Sequence, residues 1–328
     1  MKKGLSIVIP NYNGVQLFTH TLPTVFKALE HVSLPSEVIV ADDCSTDDSI
    51  AYLQKEYPQI RIVQNTVNSG FSITANNGIT AASYSYVLLL NSDVKLEPDY
   101  FHSLFSYFED PTTFGVVGRI VGWEDNIIQD GAKYPSFHGV KIKTSGNYLL
   151  EDEKAMQYGL FSMYLSGACA LLDKEKFLQC GGFNELFSPF YVEDYELSLR
   201  AWRLGWKCYY DHRSVCRHKV STSIKSKNKK KYVETIYNRN KMFLHAIHLS
   251  SPKRLLWFLQ LSVETLARFF TLRWSYLRSL YLFISSYQKV RDYRKKLQRL
   301  NGSVPLLSID EVTAFILNSI QGKKIRRF

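Results

Sequence analysis

Apolar and polar positions alternate along the first part of this chain in two rhythms. Compact apolar runs at 5–9, 37–41, 60–64 and 86–90 have strand length, and segments near 15–31, 48–56 and 72–83 suit helices between them. Such alternation predicts an α/β fold, a mostly parallel sheet with helices on both faces. Ser45 or Thr46 is placed to cap the helix entered through Asp47-Asp48, whose acids favour the positive end of its dipole. Residues 115–172 read as a mixed section, with strands near 115–120 and 165–172 joined by a long polar loop. From Tyr232 to Leu300 the chain is helix-compatible, with an interruption near Ser250-Ser251-Pro252.

The run Val87 to Leu90 suits a strand covered on both faces, and it ends abruptly on Asn91-Ser92-Asp93. Asn91 and Asp93, two positions apart, point the same way from the strand's carboxyl end, the edge where open α/β sheets bind ligands. A pair of hard oxygens there suits Mg²⁺ or Mn²⁺ carrying a diphosphate. The competing reading is a solvated turn before a helix at Glu97-Pro98-Asp99.

Charge divides the chain. Residues 219–328 carry 23 Lys/Arg against 5 Asp/Glu, whereas residues 1–218 carry 18 against 25. The acidic part reads as a catalytic unit over 1–223, and the basic, mostly helical part over 224–328 as something that meets an anionic surface or another copy. Five scattered cysteines without a CxxC argue against a disulfide framework or zinc site and for a reducing, cytoplasmic setting. Neither a signal peptide nor a spanning helix is expected, since no segment holds 18 uncharged apolar residues.

Two further segments join the Asn-Ser-Asp run: Ser6-Ile7-Val8-Ile9-Pro10-Asn11-Tyr12-Asn13, and Val38 through Asp42-Asp43-Cys44-Ser45-Thr46-Asp47. Together they resemble the family 2 glycosyltransferases of the GT-A fold, which are inverting enzymes. Other pieces of that pattern follow in order. Asn68-Ser69-Gly70-Phe71 with Asn76-Asn77-Gly78 is similar to the family's N-x-G-F…N-x-G stretch. Ile128-Gln129-Asp130-Gly131 and Ser166-Gly167-Ala168 match acceptor-side elements; Gly181 to Glu185, Glu193-Asp194-Tyr195-Glu196-Leu197 and His218 complete the set. The resemblance covers about Ser6 to Ser223 and is nearest to the rhamnosyltransferase-like branch. Three departures stand out: Asn91 for the first metal-site carboxylate, Asn184 for the usual Asp, and Glu196 for the usual second Asp of the Glu-Asp motif.

Transfer from a nucleotide-diphospho-sugar requires a held base, a neutralised leaving diphosphate and an activated acceptor hydroxyl. Pro10, Tyr12, Asp42 and Asp43 end the first two strands, where a carboxylate suits the N3–H of uracil or thymine; a turn Asp opening a helix is the alternative use. The resemblance adds Asn68, Gly70, Asn76, Asn91 and Ser92 to the donor side. It also implies a metal, Mg²⁺ or Mn²⁺, held by Asp93 and His218, although a lone His read on spacing alone is structural. Asp194 is the candidate base, desolvated by its aromatic neighbours, with Glu193 as rival. Both acids also suit a helix start before Leu197.

The expected acceptor is a glycan or lipid-linked glycan of cell-surface polysaccharide synthesis. Over 255–284 a helical wheel puts Gln260, Glu264, Arg268, Thr271, Ser275 and Arg278 on one face and Leu266, Phe269, Phe270, Leu277, Leu280 and Ile284 on a wide opposite arc. That reads as an in-plane amphipathic helix at the cytoplasmic face of the plasma membrane, with packing on the catalytic unit or a homodimer contact as competitors. Nucleic acid is set aside for want of a recognisable binding motif. The runner-up function is a non-catalytic sugar-nucleotide or glycan-binding scaffold, which Asn91 and Glu196 would favour. Nucleotidyl transfer lacks a Gly-rich, Lys/Arg-bearing loop after the first strand.

Overall fold

The computed structural model of this protein describes residues 1–156, 159–219, 230–300, 302 and 304–328. Its first half follows the predicted alternation: β1 (Lys2–Asn11), α1 (Val15–Leu29), β2 (Ser36–Asp42), α2 (Ser49–Glu56), β3 (Arg61–Gln64), α3 (Phe71–Ala81) and β4 (Tyr84–Leu90). Val8, Ile39, Val40, Val87 and Leu88 have no exposed surface, which is why these runs read as unbroken apolar strings rather than alternating ones. Strand β1 pairs in parallel with β2 on one side and β4 on the other. The order β3-β2-β1-β4 therefore reverses direction at the β1/β4 boundary, where a crevice opens at the carboxyl ends of the strands.

Local details depart from expectation. Asp48 sits at the start of α2 without a side-chain cap bond; Ser45 instead donates to Asp42, and Asp47 accepts from the Ser49 N–H. No α-helix starts at Glu97. The short β5 (Val94–Leu96) is followed by turns and a 3₁₀ segment, Leu104–Glu109. The strand expected at 165–172 starts only at Cys169, because Ser166-Gly167-Ala168 is loop.

Beyond β6 (Thr113–Gly122), the anticipated polar loop contains short strands: β7 (Ile128–Asp130), the hairpin of β8 (Pro135–His138) and β9 (Lys141–Thr144), and β10 (Tyr148–Leu150). After the one-turn α4 (Glu153–Met156) come β11 (Leu160–Phe161), β12 (Cys169–Asp173), α5 (Lys174–Gln179), α6 (Glu193–Arg203) and β13 (Lys207–His218). Strand β12 runs antiparallel between β4 and β6, and β13 lies beside β6, so the central sheet is mixed.

The basic part is helical: α7 (Lys230–His248), α8 (Ser251–Phe270), α9 (Trp274–Ser285), α10 (Tyr287–Arg299) and α11 (Ile309–Ile320), ending in β14 (Ile325–Arg327). The division proposed at 223/224 and most of the lysine-rich run 225–231 lie outside the described residues. The two parts are tightly joined. Strand β14 pairs with β10, and the buried Asn240 amide of α7 donates to the carbonyls of Phe187, Phe190 and Tyr191.

Candidate active site

Strand β4 delivers Asn91, Ser92 and Asp93 to the mouth of the crevice. The Asn91 N–H donates to the Ala168 carbonyl at 2.8 Å, which continues the β4–β12 ladder past its last strand pair. Three residues on, β5 pairs with the end of β13 and places Val94 opposite His218. That register brings the His218 imidazole Nε2 to 3.5 Å from Asp93 Oδ1. Asp93 Oδ1 is buried and has no hydrogen-bond partner. An orphaned carboxylate oxygen in that position needs a proton or a cation.

Gln129 decides how His218 presents itself. Its Oε1 lies 3.0 Å from His218 Nδ1, while its Nε2 donates to the His218 carbonyl at 3.1 Å. An amide oxygen only accepts, so Nδ1 donates to it and Nε2 is the ring nitrogen turned toward Asp93. This is the outer-shell arrangement that orients a metal-binding imidazole. Burial pushes the Asp93 carboxyl up, opposed by His218 and Lys219. Gln129 belonged to the motif read from sequence, but its distance along the chain gave no hint of this role.

The second cluster forms where α6 begins. Asp194 Oδ1 accepts from the Tyr195 N–H at 2.7 Å and Oδ2 from the Gly167 N–H at 3.2 Å. The Ser166-Gly167-Ala168 loop thus touches both the Asn91 turn and Asp194, and it ties the two clusters together. Asp194 lines a cavity of about 460 Å³ with Tyr164, Tyr191, Tyr237 and Lys241; Glu193 does not. Burial raises the Asp194 carboxyl, opposed by its N–H donors and by Lys133. Glu193 is buried with an orphaned Oε2, and its carboxyl is pushed well up by burial and by Asp194. Sequence reasoning did not find Lys133. It is ion-paired with Asp130, stands over the Tyr164 ring at 4.8 Å, and burial draws its ammonium down to about 8.

The other expected donor residues divide into bracing and exposed groups. Asp42 has no exposed surface and accepts from Asn11, from the Ser45 hydroxyl and from the Ser45 N–H. Asp43 accepts from Asn65, Ser69 and Gly70 and so pins the loop that carries Asn68. Both amide atoms of Asn76 bond the Phe183 backbone. Gly70 has φ +85°, and an added Cβ would come within 2.9 Å of the Pro189 backbone. Tyr12 and Asn68 are exposed at the crevice rim; Pro10, Asn91 and Ser92 are partly buried.

Glu196, one of the three departures, is fully buried. Its carboxylate receives Arg200 at 2.7 and 3.2 Å and His248 Nε2 at 3.1 Å. It fastens α6 to α7 instead of facing the cavity. Asn184 accepts from the Leu186 N–H and caps a 3₁₀ turn. Among the described residues, no group of three or more His, Cys, Asp and Glu converges.

A sequence profile described as Glycosyl transferase family 2 matches residues 6–179, just over half the chain. The chain belongs to glycosyl transferase family 2. It is 28% identical over 232 residues to chondroitin synthase from Escherichia coli, covering 67% of this chain but only 30% of that relative. It is 24% identical over 245 residues to N-acetylglucosaminyl-diphospho-decaprenol L-rhamnosyltransferase from Mycobacterium tuberculosis (strain ATCC 25618 / H37Rv), covering 68% and 78% of the two chains; the rhamnosyltransferase-like branch read from sequence agrees with that likeness. Among solved structures, GalNAc-T7 with UDP, GalNAc and Mn²⁺ superposes with a TM-score of 0.61 at 15% identity, covering 76% of this chain and 49% of that one. That likeness confirms the fold. The family 2 core is thus shared with proteins considerably longer than this chain.

Proposed function

We propose that this family 2 chain is an inverting glycosyltransferase. It moves a sugar from a nucleotide-diphospho-sugar, of UDP or dTDP type, to a hydroxyl of a glycan or lipid-linked glycan in polysaccharide synthesis. The observation that carries this reading is the orphaned Asp93 Oδ1 opposite a His218 Nε2 that Gln129 turns toward it. One carboxylate oxygen and one imidazole nitrogen fit a divalent cation, and the nitrogen favours Mn²⁺ over the all-oxygen preference of Mg²⁺. When bound, that cation neutralises charge on the departing diphosphate.

The remaining work falls to the chain itself. Tyr12 and Asn68 stand exposed on the nucleoside side, on loops that Asp42 and Asp43 brace. Asn91 and Ser92 lie beside Asp93 for the ribose and phosphates. Asp194 takes the proton from the acceptor hydroxyl as its oxygen attacks the anomeric carbon and the bond to the diphosphate oxygen breaks. One displacement with one base inverts that carbon, and the burial that raises the Asp194 carboxyl makes it a stronger base. Glu193 sits behind the cavity wall, so the role goes to Asp194.

The non-catalytic scaffold loses one of its two supports, because Glu196 has a structural role. Slow hydrolysis of UDP-sugars with Mn²⁺, abolished by chelator, supports the enzyme. Asp93→Asn should lose hydrolysis and transfer, whereas Asp194→Asn should lose transfer and keep UDP binding. Full turnover by either variant would overturn its assignment.

A further inference from the structure

Helix α8 is turned the unexpected way round. Its polar row faces the protein: Gln260 bonds Val140 and His138 of the β8–β9 hairpin, Glu264 pairs with Lys141, and Arg268 lies over the Tyr276 ring at 4.1 Å. Among apolar side chains of α8, only Trp257 and Leu261 are buried. Leu259, Val263, Leu266 and Phe270 on α8, Leu272 in the following turn, and Trp274 on α9 are each more than half exposed. The single helix expected over 255–284 is in fact two, because Leu272 has φ +52° and folds the chain into a hairpin. An apolar groove of about 480 Å³ runs along its outer side between α8 and α9.

An ordinary amphipathic helix buries its apolar stripe, so an outward one of this extent implies something that covers it. We propose that the α8–α9 hairpin is a foot that inserts shallowly into an anionic membrane leaflet. Charge selects that occupant. The segment that carries the hairpin holds 23 Lys/Arg against 5 Asp/Glu, and Arg273 in the hairpin turn and Arg278 on α9 are both exposed. A second copy seated face to face would set two such segments against each other. Anionic headgroups would neutralise them, while the apolar side chains enter the acyl boundary and Trp274 sits at headgroup level. Among the described residues, no helix is long and apolar enough to cross a membrane, so the contact is in-plane.

The foot also positions the active-site cavity. Leu261 lines both the outer groove and the cavity that holds Asp194. Seating the hairpin would place that cavity at the leaflet surface, where an amphiphilic acceptor can present its hydroxyl to Asp194. This consequence rests on the glycosyltransferase reading; membrane binding by itself does not.

The test is flotation of the full chain with vesicles of phosphatidylcholine alone or mixed with phosphatidylglycerol. Phe270→Glu and Arg273→Glu/Arg278→Glu variants are run alongside, all with melting temperature and sedimentation recorded. The wild type should float with the mixed vesicles, with the Trp274 emission shifted to the blue. Phe270→Glu should weaken binding at least tenfold, and the double Arg variant should lose only the phosphatidylglycerol preference, both with unchanged melting temperature. Absence of flotation, or flotation unaffected by every variant, overturns the proposal. So does a wild-type dimer that Phe270→Glu dissociates, or a protein partner captured in place of lipid. UDP-sugar hydrolysis without vesicles should be unchanged in all variants, so failure of the foot and failure of the glycosyltransferase reading give different results.

Discussion

Replacing Glu196 with Ala should destabilise this protein far more than a surface change and should loosen the basic helices from the sheet. Glu196 and Arg200 have no exposed side-chain surface, and the guanidinium is held by two bonds to this carboxylate and one to the Cys180 carbonyl. Removing the carboxylate strands a buried cation and also leaves His248 Nε2 without its acceptor. Breaking a buried pair in this way costs about 3–5 kcal/mol, against about 0–1 kcal/mol for an exposed pair. The bond network fixes the state of His248. Arg203 only donates, at 3.2 Å from Nδ1, so Nε2 carries the proton given to Glu196. Urea unfolding should place Glu196→Ala at least about 3 kcal/mol below wild type, with faster proteolysis within 230–328. Glu196→Asp should lie between the two, because the shorter acid cannot reach both partners. Adding Arg200→Met to Glu196→Ala should recover part of the loss. A cost under about 1 kcal/mol for Glu196→Ala would refute the claim that this triad joins the two parts.

Other outcomes follow from the same contacts. Burial lowers His248 and His245 to about 4. Because these folded-state values lie below the unfolded one, the contribution of the two histidines to stability should be constant above about pH 6.5 and be lost as pH drops toward 4; pH-resolved unfolding of wild type against His248→Gln checks this, since the variant should show a flatter fall. Gln129→Leu should weaken Mn²⁺ binding about 10–100-fold by releasing His218, read by calorimetric titration with UDP present and no turnover needed. Gly70→Ala should cost more than about 2 kcal/mol and raise the Kd for UDP, since φ +85° and the Pro189 contact both oppose a Cβ. Transfer by the wild type should decline with falling pH as the raised Asp194 carboxyl is protonated, seen as an acid limb in kcat/KM.

The residues that carried the resemblance were legible because strands β1, β2 and β4 are buried on both faces and end on polar side chains. Their apolar runs predicted a parallel sheet, and their ends marked the crevice. Sequence could not distinguish side chains that brace the crevice from those that face it. Asp42 and Asn76 are held by bonds to neighbouring loops, and a string of letters shows no such bracing. Gln129 and Glu196 act through partners roughly ninety and fifty residues away, and no local pattern records such pairings. The helical wheel assumed one helix over 255–284, which the turn at Leu272 breaks; within α8 it separated polar from apolar, but polarity alone says nothing about which face meets the protein. Only the β8–β9 hairpin, placed where Gln260 and Glu264 can bond it, determines that.

The central claim is that Asp93 and His218 together hold a cation which the donor diphosphate shares. Electron paramagnetic resonance titration of Mn²⁺ in the presence of UDP tests it directly. The wild type and Asp194→Asn should bind Mn²⁺ alike, while Asp93→Asn and His218→Ala should each weaken binding at least tenfold. Equal Mn²⁺ affinity in all four proteins would contradict the account.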